Sequence, residues 1–221
     1  LKELGIRVQA YTKAIGPFSI PEEDYCMSEI AENDLFMPGN TVASQAGEYI
    51  SSLMAECDSC GGVVECIAEG LPSGLGEPVF DKLDALLAHA VMSIGAVKGV
   101  EIGDGFAASA STGSKNNDPF FSENGVVLKK TNHAGGTLGG MSDGPRLILR
   151  AAIKPTSSIA RTQHTVDVNH ENAEIKVLGR HDPVIVPRAV VVVESMTALT
   201  LADLLLRNMS ARLENVKKVY S

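Results

Sequence analysis

The chain has 221 residues, of which 44% are hydrophobic and 21% are charged, and its formal net charge is -8. This is the balance of an ordinary globular protein with room for one sizeable core or two small ones, and its acidity argues against a general binder of nucleic acid or of anionic membranes. Residues 145–190 nevertheless carry a net charge of +3, against -11 for the remainder. This basic span in an acidic protein suits a small anionic ligand.

The first predicted elements are a strand, a helix and a second strand. Residues 6–15 alternate apolar and polar side chains, which predicts a half-buried strand, whereas the Pro-rich and acidic residues 17–43 predict a loop. Apolar residues recur at helical spacing over 44–57, and residues 63–70 predict the second strand. Between the helix and this strand, Gly61 and Gly62 mark the helix end.

A second helix is predicted from Pro78, which suits a first helical position, to a C-terminal end marked by Gly95. A short strand and a turn follow it. Residues 107–125 have no periodicity, and so long an irregular loop is typical of a lid, a binding loop or disorder.

The last predicted elements are a strand at 146–154, a hairpin formed by 165–169 and 173–179, and a long apolar helix at 189–213. The apolar run at 189–202 contains Glu194 and is too short and too polar for a membrane span. The order of elements predicts an α+β fold with mostly antiparallel sheet. No repeat or internal boundary appears, so we expect one domain over residues 1–221.

Cys57 and Cys60 form the C-x-x-C pattern that occurs in zinc sites. A zinc site usually needs a second pair of cysteines or a close pair of histidines, and neither is present in the sequence around them. We therefore favour reduced thiols of a cytosolic protein.

Residues 132–144 read NHAGGTLGGMSDG, with five glycines in thirteen positions. Glycine is used where the backbone takes a positive φ or where another group approaches closely. The stretch matches neither G-x-G-x-x-G between a strand and a helix nor a Walker loop, so the usual nucleotide fingerprints are absent. On its own it predicts either tight turns or the wall of a ligand site.

Two further segments carry groups that suit an anionic ligand. The segment KPTSS (154–158) combines a lysine with three hydroxyl groups, which predicts an anion site or a hydroxyl-rich turn. In GRHDP (179–183), the side chains of Arg180 and Asp182 lie on the same face if the segment is extended. The two residues then form either a plain salt bridge or a pair in which Arg180 binds an anion and Asp182 accepts or relays a proton. His181 then points the other way, and we expect it to lie on the surface, like His164 and His170.

Together these motifs resemble those of the chorismate synthase family. The resemblance rests on GLGEPVFDKLDALLAHAVMSIGAVKGVEIGDGF, NHAGGTLGGMSDG, KPTSSI and GRHDPVIVPRAVVVVESM, in this order and spacing. It implies a fold in which central helices are sandwiched between antiparallel β-sheets. It also implies the 1,4-elimination of phosphate from 5-enolpyruvylshikimate 3-phosphate to give chorismate, a step of the shikimate pathway toward aromatic amino acids that needs reduced FMN.

The resemblance assigns roles to individual residues. Asp182 corresponds to a carboxylate near the reactive part of the flavin, with a role in hydrogen bonding or proton relay. Many relatives have Asn at the position of Gly95, so a side-chain contact there is lost in this chain. The implied FMN contacts are Gly95, Ala96, Gly139, Lys154, Pro155, Thr156, Ser157, Ser158 and Arg180.

The resemblance also implies a cytoplasmic, NADP-associated flavoprotein that forms a homotetramer. Members of the family begin with an N-terminal portion that carries two functional histidines, a serine and most arginines that grip the substrate. This chain corresponds to the C-terminal portion, and we expect it to be inactive alone. Two alternatives stay open: a truncated relative without catalysis, kept for assembly or regulation, and a generic phosphate-binding α+β module.

Overall fold

The computed structural model describes residues 1–179 and 181–220. The helices are α1 (Asn40–Ala55), α2 (Leu83–Met92), α3 (Gly113–Asn116), α4 (Val186–Met209) and α5 (Leu213–Tyr220). The first strands are β1 (Arg7–Ile15), β2 (Phe18–Ser19), β3 (Gly62–Glu69), β4 (Val97–Ile102), β5 (Phe120–Glu123) and β6 (Val126–Lys129). They are followed by β7 (Thr137–Leu138), β8 (Met141–Ser142), β9 (Leu147–Ile153), β10 (Thr162–Val166) and β11 (Asn172–Lys176).

Five strands form the largest sheet, in the order β2-β1-β3-β9-β4. Strand β9 shows why its sequence folds this way, because alternate side chains from Leu147 to Ile153 are buried, as the period of a strand requires. Strand β3 is buried from Val64 to Ala68, which matches its nearly continuous apolar sequence. The strands predicted at 6–15, 63–70 and 146–154 are therefore confirmed.

Three small antiparallel sheets complete the strands: β5 with β6, β7 with β8, and β10 with β11. The last of these is the predicted hairpin, although its strands begin and end a few residues earlier than the sequence pattern indicates. With its helices and antiparallel sheets, the chain has the α+β fold predicted from the sequence.

The described residues divide into two compact units. The first unit lies within Leu1–Ala10, Glu65–Ala151 and Val191–Ser221, and the second within Tyr11–Val64 and Ala152–Val190. The core of the first includes Leu71, Leu75, Leu83, Leu87, Val91, Leu147, Leu149, Leu201 and Leu204. The core of the second includes Tyr11, Ile15, Met37, Ala46, Val64 and Val186. The expectation of a single domain stays a prediction.

Helix α2 begins at Leu83, so the prediction that it starts at Pro78 is wrong. The backbones of Glu77 and Asp81 exchange two hydrogen bonds of 2.8 and 3.0 Å, which turn the chain before the helix. The predicted glycine end is also wrong, since Ala96, with φ of 70°, takes the left-handed conformation in place of Gly95. Residues 107–125 are not wholly irregular, because they contain α3 and β5.

Helix α4 is long and apolar enough to cross a membrane by length and composition alone, although the sequence pattern predicts no span here. Core helices of soluble proteins pass the same test, so the length and composition of α4 are weak evidence for a membrane span. Val193, Leu201 and Leu204 of this helix are buried in the first unit. In the same unit, Glu194 accepts a hydrogen bond of 2.8 Å from the amide of Ala10.

Candidate functional site

The glycine stretch, residues 132–144, lies in the first unit and packs backbone against backbone. A Cβ atom placed on Gly135 would lie 2.3 Å from the backbone nitrogen of Gly103, and one placed on Gly103 would lie 2.1 Å from the carbonyl oxygen of His133. No side chain fits in such a contact. The turn at 103–105 and the glycine stretch are thus joined by a close approach that the sequence alone does not show.

Side chains fix this contact from both sides. Asn132 donates a hydrogen bond of 2.7 Å to the carbonyl of Arg146 and accepts one of 2.9 Å from the amide of Gly136. On the other side, Arg150 donates to the carbonyl of Gly103 at 2.6 Å and forms an ion pair of 2.5 Å with Glu65. Because the Glu65 side chain is only 3% exposed, this ion pair is a buried one.

Gly139 differs from the other residues of the stretch. It sits with Gly140 in the turn between β7 and β8, it is exposed, and its φ is 62°. A Cβ atom placed on it would have no neighbour within 4 Å. Its backbone therefore faces open space, which is what the approach of a ligand requires. Gly95 is likewise exposed with open space around it, and Ala96 is half-buried.

The residues of the KPTSS segment lie in the second unit, directly after β9. Lys154, Pro155 and Ser157 are exposed, so the ammonium group of Lys154 and the hydroxyl of Ser157 are accessible as donors. The hydroxyl of Ser59 donates a hydrogen bond of 2.6 Å to the carbonyl of Thr156 and so fixes the segment. The hydroxyl of Thr156 is buried and has no hydrogen-bond partner among the described residues.

A cavity of about 190 Å³ in the second unit brings Ser158 and Asp182 together. The amide of Cys60 donates to the carbonyl of Pro183 at 2.9 Å and holds the segment of Asp182 in place. The cavity is lined by Met54, Cys57, Asp58, Ser59, Ser158, Ile159, Ala160, Gly179, His181, Asp182 and Pro183.

Asp182 pairs with Arg188 at 2.6 Å and its side chain is 40% exposed, while Arg180 lies outside the described residues. The prediction that His181 points away from Asp182 to the surface is wrong, because both line the cavity and His181 Nε2 is buried. That prediction assumed an extended segment, and residues 179 and 181–183 do not belong to a strand. His164 and His170 are exposed as expected.

Cys57 and Cys60 differ in their exposure to solvent. Cys57 is exposed and lines the cavity, whereas Cys60 is buried, and burial raises the pKa of its thiol. Among the described residues, no group of three or more His, Cys, Asp or Glu side chains is arranged to hold a metal ion.

One residue with many polar contacts was not predicted from the sequence. Asp118 lies in the aperiodic loop between α3 and β5, and its side chain is only 6% exposed. It accepts hydrogen bonds from the amides of His133 and Ala134, at 2.8 and 3.0 Å, and from the hydroxyl of Thr131 at 2.7 Å. Burial alone raises the pKa of Asp118, but these donors and the charge of Lys129 outweigh it and lower the pKa to about 2.

Comparison with known proteins gives a consistent result. The family model described as chorismate synthase matches residues 1–206. The chorismate synthase of Agathobacter rectalis is 57% identical over 220 residues, which are 100% of this chain and 60% of that protein. The one of Archaeoglobus fulgidus is 51% identical over 209 residues, 93% of this chain and 58% of that protein.

A solved structure gives the same picture at the level of the fold. The crystal structure of a chorismate synthase superposes with a TM-score of 0.78 at 30% identity, covering 99% of this chain and 62% of that one. The chain thus spans about 60% of the length of the curated relatives that it matches.

Proposed function

The chain belongs to the chorismate synthase family, and from this we propose that the protein containing it is a lyase of the shikimate pathway. It eliminates phosphate from 5-enolpyruvylshikimate 3-phosphate and forms chorismate. The observation that carries the proposal is the match of the family model to residues 1–206, which include every residue assigned from the motifs. Asp182 and Ser158 at one cavity support it from the structure.

Reduced FMN is the proposed cofactor, and in this reaction it supplies electron density to the breaking bond. The second unit offers groups that fit an anionic, hydrogen-bonding ligand: the exposed ammonium of Lys154, the hydroxyl of Ser158, and the unpartnered buried hydroxyl of Thr156. We assign Lys154, Pro155, Thr156, Ser157, Ser158 and Arg180 to FMN binding in this unit. In the first unit we assign Gly95, Ala96 and Gly139. Gly95 and Gly139 are exposed with open space beside them, which leaves room for a flat ring.

Asp182 is the proposed catalytic residue. Its Oδ2 atom pairs with Arg188, and its side chain is 40% exposed and lines the cavity, so the carboxylate can accept a hydrogen bond or a proton from a ligand there. The neighbouring His181 ring nitrogen Nε2 is buried without a partner in the described part of the chain, so it can hold a ligand atom that is a donor or an acceptor.

The cofactor assignment is tested by titrating FMN into the product of the full reading frame that encodes this chain and into its Arg180→Ala and Asp182→Asn variants. We expect Arg180→Ala to weaken FMN binding by about tenfold or more, since a charge-assisted contact is lost. Asp182→Asn should retain most of the affinity. Equal FMN affinity of Arg180→Ala and the unaltered protein would count against the assignment.

Gly139 gives a second test of the cofactor assignment. Its φ of 62° makes valine a poor replacement, because a β-branched residue is strained in this conformation whether or not a ligand binds. Asparagine tolerates a positive φ, and there is space for its side chain. Gly139→Asn should therefore fold normally and lose FMN affinity. Normal FMN binding by this variant would mean that Gly139 only forms a turn and does not contact the cofactor.

The remaining features of the function are proposals by family resemblance. We infer a homotetramer located in the cytoplasm, with the flavin kept reduced through NADP-linked chemistry. We also expect the 221-residue chain to make no chorismate alone. The alternative, a truncated non-catalytic relative that acts in assembly or regulation, predicts that the full reading frame is inactive as well, so assaying both products with reduced FMN separates the two. Light scattering of the full product measures the oligomeric state.

A further inference from the structure

One group of buried charged side chains contacts the glycine stretch near both of its ends. This group, which we call the clasp, consists of Asp118, Lys129 and Asp143. Asp118 binds the amides of His133 and Ala134 at the start of the stretch. Lys129 forms ion pairs with Asp118, at 3.4 Å, and with Asp143 near the end of the stretch. The side chains of all three are at most 8% exposed.

Buried charges are costly unless they are paired and hydrogen-bonded, so the clasp has a definite geometry. The carboxylate of Asp118 faces the Thr131 hydroxyl, the ammonium group of Lys129 and the ring of His133, whose Nδ1 lies 3.1 Å from Asp118 Oδ1. Lys129 also lies over the ring of Phe120, with its nitrogen 5.3 Å from the ring centroid. The clasp thus joins the hairpin formed by β5 and β6 to the glycine stretch.

Further hydrogen bonds fix the C-terminal part of the stretch. The buried hydroxyl of Ser142 donates to the carbonyl of Pro72 at 2.6 Å and accepts from the amide of Leu75 at 2.9 Å. Gly140 accepts a hydrogen bond of 2.8 Å from the amide of Leu83. Gly139 therefore lies between residues fixed by these bonds and the start of the stretch, where Asp118 binds the amides of His133 and Ala134.

We propose that Asp118 is a positioning residue for cofactor binding, because the clasp sets the place of the glycine stretch and hence of the Gly139 backbone. This inference rests on the proposed function, in which Gly139 contacts FMN. Asp118 itself touches no ligand in this account. It acts through the amides of His133 and Ala134, as a supporting residue holds a contact residue in its productive geometry.

The test compares three variants of the full protein at room temperature, where circular dichroism confirms that each is folded. Asp118→Asn keeps the size of the side chain and removes its charge. Lys129→Met removes the ammonium group that pairs with both Asp118 and Asp143, so the carboxylate of Asp118 loses the charge that helps to hold it against the two amides. Asp167→Asn is the matched control, because Asp167 also accepts hydrogen bonds from two backbone amides, at 2.8 and 3.0 Å, but in the turn between β10 and β11.

We expect Asp118→Asn to raise the Kd for FMN by about tenfold and to shift the absorption band of the bound flavin. Lys129→Met should raise the Kd by about threefold, and Asp167→Asn should leave both quantities unchanged. A lower melting temperature of Asp118→Asn with an unchanged Kd and spectrum would show a merely structural role and overturn the inference.

Two other outcomes are also decisive. If Asp118→Asn does not fold, Lys129→Met carries the test, and a Kd equal to that of the unaltered protein overturns the inference. If the unaltered protein itself does not bind FMN, the proposed function fails and the positioning role fails with it. FMN binding by the unaltered protein together with unchanged binding by both variants removes the positioning role alone.

Discussion

The glycine stretch of the first unit and the cavity of the second unit differ in the groups that form them. The stretch offers backbone, held by close contacts at Gly103 and Gly135 and by the buried charges of Asp118 and Lys129. The cavity offers side chains, with Asp182 partly exposed and paired to the exposed Arg188. The contrast predicts that substitutions at the buried contacts of the stretch reduce stability strongly, whereas substitutions at the exposed rim of the cavity reduce it little.

The largest effect is expected from Gly135→Ala. Its Cβ atom would lie 2.3 Å from a backbone nitrogen that cannot move aside alone, and its φ is 65°. We expect a loss of about 4 kcal/mol or more in the free energy of unfolding, measured by denaturant titration. Gly125→Ala is the control, because Gly125 has φ of 79° and open space, so only about 1–2 kcal/mol of backbone strain applies. Equal losses in the two variants would show that the close approach is not what matters.

The next effect is expected from the buried ion pair. Arg150→Met removes the ion pair with the buried carboxylate of Glu65 and a hydrogen bond to Gly103, so we expect a loss of about 3 kcal/mol in the free energy of unfolding. The double variant Glu65→Leu with Arg150→Met should be less destabilised than the sum of the two single variants. Strict additivity in this double-mutant cycle would mean that the two groups do not act as a pair.

The pH dependence of stability tests Asp118 with a smaller effect. Its pKa is lowered from 3.8 to about 2 in the folded state, so the charged carboxylate stabilises the fold at neutral pH. The contribution is present above about pH 4 and is lost as the pH falls through about 2, and its size is roughly 2 kcal/mol. The stability difference between the unaltered protein and Asp118→Asn should therefore shrink over this range. A difference that stays constant down to pH 2 would contradict the assignment.

The smallest effect is expected at the cavity rim. Arg188→Ala removes an ion pair whose members are both well exposed, so the free energy of unfolding should change by less than about 1 kcal/mol. Thermal denaturation measures it against the unaltered protein. A loss as large as that of Arg150→Met would erase the contrast between the two regions.

Local pattern predicted much of the fold, because period and apolar runs determine which segments form strands and helices. Strand β9 is an example, since its alternation is visible in the sequence and its burial follows that alternation. The start of α2 was missed because a backbone turn at Glu77 and Asp81 overrides the preference of Pro78 for a helix start. Such a turn depends on hydrogen bonds that residue preferences do not encode.

The site was predictable only where its residues stand in motifs that can be read from the sequence. The motifs pointed to Ser158 and Asp182, which the structure brings to one cavity. Asp118 gave no signal, since it stands in an aperiodic polar loop and its partners lie 11 to 16 residues further along the chain. The contact between Gly103 and Gly135 was equally hidden, because it depends on how distant backbone segments meet.

The most direct test of the proposed activity is an assay of chorismate formation by the full protein with reduced FMN and 5-enolpyruvylshikimate 3-phosphate, compared with its Asp182→Asn variant. The account predicts turnover by the unaltered protein and a loss of about a hundredfold or more in kcat for the variant, with FMN still bound. No chorismate from the unaltered protein, or equal rates from the two, would contradict it.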